Sequence, residues 1–299
     1  MAIRFMTVRK EPSATVFTHM SSLTKATLYY VFAFGLAVLV ALMAGRLGES
    51  SRIISMFTPL VAVLLMMLVM TRDGYTREGW KVLGLHRLGL RSWPLAILAP
   101  LVVLGCTYGI VWGTGIGYPD WSRLGGAPDA GDLLRILVSI IIGYALAEEI
   151  GWRGYLLPHL LPLGRTPAML LSGLLHGIYH LPLMLMTPFY HASGNRFIVV
   201  ILFLITMTLA GVAYGYLRLT SGSVWPPTIT HNAFNMIWEI FATATVAGAS
   251  PLLLEYLAGE SGILTIIGLA ILAAWLIYRL QRQPEPVPTT SVLASEPLT

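Results

Sequence analysis

The chain has one cysteine, Cys106, in 299 residues. A single thiol excludes an internal disulfide and any metal site built from paired cysteines. Lying in an apolar run, Cys106 reads as a packing or lipid-side residue. Charge is also scarce: 11% of residues are charged, against about 25% in soluble globular domains. With 56% hydrophobic residues and a mean hydropathy of +0.74, this is a polytopic helical membrane protein, not a soluble domain with an anchor. No H-E-x-x-H helix occurs, so the metal-binding helix of soluble zincins is absent. No secretory leader is evident and no long internal repeat is found. The first apolar run, from near Thr27 behind Arg4, Arg9, Lys10 and Lys25, is too long for a signal-peptide core and reads as a retained span.

A membrane-crossing helix needs about 20 apolar residues. Runs of that kind predict an all-α bundle of about eight spans, near 24–45, 53–71, 93–116, 133–157, 168–187, 197–218, 224–246 and 262–280. Three parts follow: an N-terminal segment 1–23, an integral membrane domain 24–280 with its core at 130–245, and a Pro-, Ser- and Thr-rich tail 281–299 that reads as disordered. The net charge of +5 is a topology signal and not a nucleic-acid surface. Arg4, Arg9, Lys10 and Lys25, then Arg72, Arg77, Lys81, Arg87 and Arg91, then Arg165, Arg218, Arg279 and Arg282 all fall on one face. That face is expected to be cytoplasmic in a multi-pass cell-membrane protein, with both termini inside. The opposite loops carry Asp120, Asp129, Asp132, Glu255 and Glu260. The stretch 72–92 reads equally as an interfacial amphipathic segment or a plain basic loop.

Inside these apolar runs sit Glu148, Glu149 and Arg153, then His176 and His180, then His231 and Asn235. Ionisable groups at bilayer depth are costly and mark functional sites. Glu149 and Arg153, four apart, face each other on a helix and suit an ion pair. Glu148, turned about 100° away, is the carboxylate left for chemistry. The alternative is a packing network of both acids with Arg153. Ser172, His176 and His180 share one stripe, beside a Gly173/Gly177 stripe that permits close helix approach. Two histidines at that spacing can bind one metal; alternatively, either is a buried hydrogen-bonded histidine. His231 and Asn235 share a face, which Glu239 continues, and a side-chain amide there suits an oxyanion donor. Asn232 points elsewhere and reads as structural. Rise arithmetic puts Glu148, His180, His231 and Asn235 roughly 14, 18, 10 and 16 Å from the basic face, a shared depth that predicts a site opening to the cytoplasmic leaflet.

Glu148-Glu149-x-x-x-Arg153, His180 and His231-x-x-x-Asn235 resemble the three motifs of the CPBP intramembrane metalloproteases, also called the Abi, CAAX-protease or Rce1-like family. The resemblance covers roughly 130–245, with a weaker similarity at Leu83-Gly-Leu and Leu88-Gly-Leu. It departs at His176, where the family's second motif carries Phe. The resemblance implies an intramembrane endopeptidase acting on membrane-associated or prenylated-type proteins. Glu148 would activate water with help from His180. His231 and Asn235 would hold the oxyanion or a metal, and Glu149–Arg153 would brace the helix. A divalent cofactor, zinc being the expected ion, would be held by Glu148, His180 and His231, although a ligating Glu148 is not an unencumbered base. Expected partners are a membrane protein or peptide substrate and the bilayer, with no nucleic acid. Two competing readings are a non-catalytic, partner-binding member of the same fold, such as an immunity factor, and a proton-coupled transporter. Neither explains as much: a degenerate member would be expected to lose a site residue, and a transporter often shows two similar halves.

Overall fold

The computed structural model describes residues 20–126, 129–188 and 194–282. The basic residues Arg4, Arg9 and Lys10 and the tail from 283 lie outside them. The described chain is an all-α bundle built from α1 (Ser22–Leu47), α2 (Ser50–Leu64), α3 (Arg77–Val82), α4 (Trp93–Gly113), α5 (Ala130–Ile142), α6 (Ala145–Glu149), α7 (Leu157–Leu160), α8 (Arg165–Met186), α9 (Arg196–Ser221), α10 (Trp225–Thr243), α11 (Pro251–Ala258) and α12 (Ile263–Gln281). Its small exception is an antiparallel ribbon of β1 (Gly117–Pro119) and β2 (Thr245–Ala247), paired Gly117 to Ala247.

Among the described residues seven helical stretches are long and apolar enough to cross a membrane, making this a multi-pass membrane protein. Of the eight spans expected from sequence, the one outside the apolar set is α10. It nevertheless runs the length of the bundle. At its start, Val224 N–H donates to Gly84 O and Trp225 Nε1 to Leu85 O, tying it to the loop that leads into α4. At its end, β2 pairs with β1, the continuation of α4. Its 19 residues span roughly 28 Å, and Pro226 to Phe234 are buried by the surrounding helices. Wrapping of this kind lets a polar helix sit at bilayer depth.

The fourth span is not the continuous helix that its sequence suggests. Gly143 is extended (φ −63°, ψ 178° in magnitude) and separates α5 from α6. Residues Ile150–Leu156 then wind as a π-helix, a form that recurs at functional sites. The break would leave backbone groups unsatisfied in an apolar setting. Asn232 on α10 answers this: its Nδ2 donates to Ile140 O (3.1 Å) and its Oδ1 accepts from Ala145 N–H (3.3 Å). Asn232 is thus structural, as its position off the His231 face implies.

Two further contacts hold the site's helices. A Cβ on Gly173 would lie 2.9 Å from Gly211 Cα, so the glycine stripe does permit close approach of α8 and α9. The 72–92 stretch is neither a free loop nor one amphipathic helix. Leu83 is buried, Gly84 (φ +77°) and Gly89 (φ +64°) pack against Arg218 and Pro226, and Ser223 Oγ donates to Arg87 O. Arg218 donates from Nε to Arg153 O (3.0 Å) and from Nη2 to Val82 O (2.7 Å), clamping this stretch to the π-helix. Cys106 is exposed on α4, the lipid side of the two readings open to it.

Candidate active site

Glu148 and Glu149 are adjacent in sequence and serve different networks. Glu149 and Arg153 form a fully buried ion pair, Nη1 to Oε1, at 2.8 Å. The same Oε1 accepts from His231 Nδ1 at 3.0 Å, so this one carboxylate joins α6, the π-helix and α10. Tyr214 of α9 stacks on the His231 ring (5.3 Å, 16°) and lies under the Arg153 guanidinium (4.7 Å). Burying these charges is tolerable because they are paired, with Glu149 Oε1 accepting from both Arg153 and His231, although Glu149 Oε2 and Arg153 Nε and Nη2 have no hydrogen-bond partner among the described residues.

Glu148 faces α8. His176 Nε2 lies 2.7 Å from Glu148 Oε2, and His180 Nε2 lies 3.8 Å from the same oxygen. His176 Nδ1 is 3.1 Å from Arg153 Nη1. A guanidinium only donates, so His176 Nδ1 accepts and its proton sits on Nε2, donated to Glu148. His176, fully buried and stacked on Trp152 (4.8 Å, 26°), therefore has its ring held and its tautomer assigned by its neighbours. A chain of contacts runs Glu149–Arg153–His176–Glu148. The same reasoning applies to His231: its Nδ1–H is donated to Glu149, and in the neutral ring Nε2 keeps the lone pair.

Glu148, His180, His231 and Asn235 line one cavity of about 40 Å³, room for a few water molecules. Phe203, Met207, Tyr214 and Phe234 complete much of its wall. Depth arithmetic from sequence has the site opening toward the basic loops. The cavity instead shares Met56, Asn235 and Glu260 with a larger one at the other end of the bundle.

A divalent metal has donors here. Oxygen and nitrogen atoms of Glu148, His176 and His180 lie within 4.8 Å of one another, a Glu/His/His group able to hold an ion. His176 fits that role poorly. A metal on Nε2 would move its proton to Nδ1, against the N–H of Arg153. The ligand set expected from sequence replaces His176 by His231, which lines the same cavity as Glu148 and His180 and keeps a lone pair on Nε2. One carboxylate and two imidazoles are the donor chemistry of a zinc-type site.

The six residues expected from sequence to carry the chemistry, Glu148, Glu149, Arg153, His180, His231 and Asn235, are all in this region. Glu149, Arg153 and His231 form one hydrogen-bonded unit, and Glu148, His180, His231 and Asn235 share a cavity. For His176 the sequence left two readings open, a metal ligand paired with His180 or a buried hydrogen-bonded histidine, and the structure shows it buried and hydrogen-bonded on both ring nitrogens. Sequence reasoning passed over Tyr214, which nothing in an apolar span distinguishes from a packing aromatic.

A multi-pass helical protein with a carboxylate–imidazole cluster buried between its helices belongs to the intramembrane-site class. Residues 130–237 match the family described as Type II CAAX prenyl endopeptidase Rce1-like, and this segment contains every residue of the cluster. Over that segment the chain is similar to the CAAX-protease family. No curated protein matches the chain.

Proposed function

We propose that the protein is an intramembrane endopeptidase in which Glu148 is the general base. The observation that carries this reading is the hydrogen bond from His176 Nε2 to Glu148 Oε2 at the wall of a water-sized cavity. A base held by one oxygen in a fixed rotamer loses little freedom on reaching the reactive geometry. Water in the cavity attacks the peptide carbonyl carbon as Glu148 takes its proton. The Asn235 amide, half-buried at the cavity wall, donates to the developing oxyanion. His231 Nε2 accepts from the water and orients it, and His180 lies beside Glu148 to share the proton. The proton then passes from Glu148 to the departing amine as the C–N bond breaks. Glu149 and Arg153 hold His231 and His176 in place and do not touch the reacting atoms. A zinc-type ion bound by Glu148, His180 and His231 would supply Lewis-acid activation of the same water.

The substrate is proposed to be a membrane-associated protein, with prenylated-type tails among the candidates. The enzyme is placed in the cell membrane with its basic loops and both termini in the cytoplasm, following the charge distribution. The test is to incubate purified protein in detergent with membrane-protein tails and a proteome-wide peptide set, reading new termini by mass spectrometry. Cleavage that disappears in Glu148→Ala is expected. Cleavage unchanged by that substitution would exclude this chemistry, and activity only across a membrane gradient would favour transport.

A further inference from the structure

The end of the bundle that carries the basic loops holds a cavity of about 330 Å³ that shares no residue with the catalytic one. That volume lies within the roughly 300–1,000 Å³ of ligand-holding pockets. Its polar lining comes from Lys25 in the first turn of α1, Asp73 just beyond the Ser50–Met70 span, Glu78 of α3, Tyr155 of the π-helix and His159 of α7. Met67 and Val82 add apolar lining. Exposed Tyr75, Val82, Leu88 and Leu90 lie here among exposed Arg77, Lys81, Arg87 and Arg91, the mixture of aromatic, apolar and basic side chains that sits at headgroup level.

The lining itself says what would fill it. Tyr155 is buried, and its hydroxyl has no hydrogen-bond partner among the described residues. A buried hydroxyl left alone is costly, and a ligand oxygen would satisfy it. His159 Nδ1 lies 2.8 Å from Tyr155 O. A carbonyl only accepts, so Nδ1 carries the proton and Nε2 of the neutral ring offers a lone pair. Lys25 Nζ is tied to Asp73 Oδ2 at 3.1 Å and keeps further N–H donors. With Asp73 and Glu78 against Lys25 alone, the lining does not suit an anionic lipid. A quaternary ammonium has no N–H and is held by aromatic faces, whereas the Tyr155 face is stacked on His159 at 4.5 Å. The fitting ligand brings N–H donors for the carboxylates and Nε2, and an oxyanion for Lys25 and the Tyr155 hydroxyl.

We infer that this cavity binds the headgroup of a phosphatidylethanolamine-type lipid, a primary ammonium joined by a short linker to a phosphodiester, in the leaflet that meets the basic loops. The ammonium donates to Asp73, Glu78 and His159 Nε2. The phosphodiester accepts from Lys25 and Tyr155, and the acyl chains leave past half-exposed Val82 into the bilayer. The site does not depend on the proteolytic reading.

The full chain, purified and stripped of lipid in detergent, is titrated with phosphatidylethanolamine, phosphatidylcholine and phosphatidylglycerol of the same acyl chains, and bound lipid is counted by native mass spectrometry. One phosphatidylethanolamine per chain is expected, held at least about tenfold tighter than either of the others; equal retention of the three overturns the proposal. Soluble glycerophosphoethanolamine bound as tightly as the lipid would make the ligand a soluble phosphodiester and overturn the lipid assignment. Asp73→Asn combined with Glu78→Gln leaves Lys25 as the charge of the lining, so preference should pass to phosphatidylglycerol. His159→Phe keeps a ring against Tyr155 and removes the Nε2 lone pair, which should bring phosphatidylethanolamine within about threefold of phosphatidylcholine. Tyr155→Phe removes a hydroxyl with no protein partner, so the unfolding midpoint without lipid should not fall, while phosphatidylethanolamine binding weakens about three- to tenfold. Unchanged lipid affinities in these variants place the lipid elsewhere and overturn the site.

Discussion

Replacing Arg153 tests the buried network most directly. Arg153 is among the largest fully buried side chains, so alanine would add a cavity to the loss of charge; methionine keeps the volume. Arg153→Met strands Glu149, and breaking a buried pair costs about 3–5 kcal/mol. Glu149 keeps its His231 donor at 3.0 Å, which places the cost near the lower end, about 3 kcal/mol. Adding Glu149→Leu removes the stranded charge but leaves the His231 Nδ1–H without its acceptor, a loss of about 1–2 kcal/mol. The double variant is therefore expected to recover about 1–2 kcal/mol over Arg153→Met, short of the parent. Equilibrium unfolding of parent, both single variants and the double variant in mixed micelles measures the coupling. A double variant no more stable than Arg153→Met would refute the pairing, since the recovered energy comes only from removing an unpaired buried charge.

Glu148→Gln should keep the unfolding midpoint near that of the parent and lose at least about two to three orders of magnitude in cleavage rate; near-normal turnover would remove Glu148 as base. His176→Phe, the residue usual in the related motif, should lower kcat about ten- to a hundredfold with little change in KM, because it withdraws the donor that orients Glu148 and touches no substrate; a matching rise in KM would make His176 a binding residue. Metal is tested on chelator-washed, active protein: about one zinc per chain is expected if Glu148, His180 and His231 act as ligands. Full activity at well under one metal per chain would leave them as base and hydrogen-bonding groups, with His231→Asn then retaining more rate than Glu148→Gln.

Much of this architecture is written in local sequence. Apolar runs longer than the hydrocarbon core mark spans whatever their neighbours, and seven stretches bear this out. The Glu149–Arg153 pair follows from four-residue spacing, and the separation of Asn232 from the His231 face follows from helical periodicity. Polar groups inside those runs pointed to a candidate site because few other reasons exist to place them there, and the bundle brings them together. Tertiary structure decided the rest. Whether α10 crosses depends on the helices around it, and a hydropathy window counts only its own residues. The break at Gly143 is tolerated because Asn232, 87 residues away in sequence from Ala145, satisfies the freed backbone. The π-helical turn after Glu149 is not encoded by a 3.6-residue period. The role of His176 depends on a donor from the π-helix meeting its Nδ1 and a carboxylate from α6 meeting its Nε2. Hydrogen-bond direction and the side on which a cavity opens are properties of distances between helices, and those distances exist only once the bundle has closed.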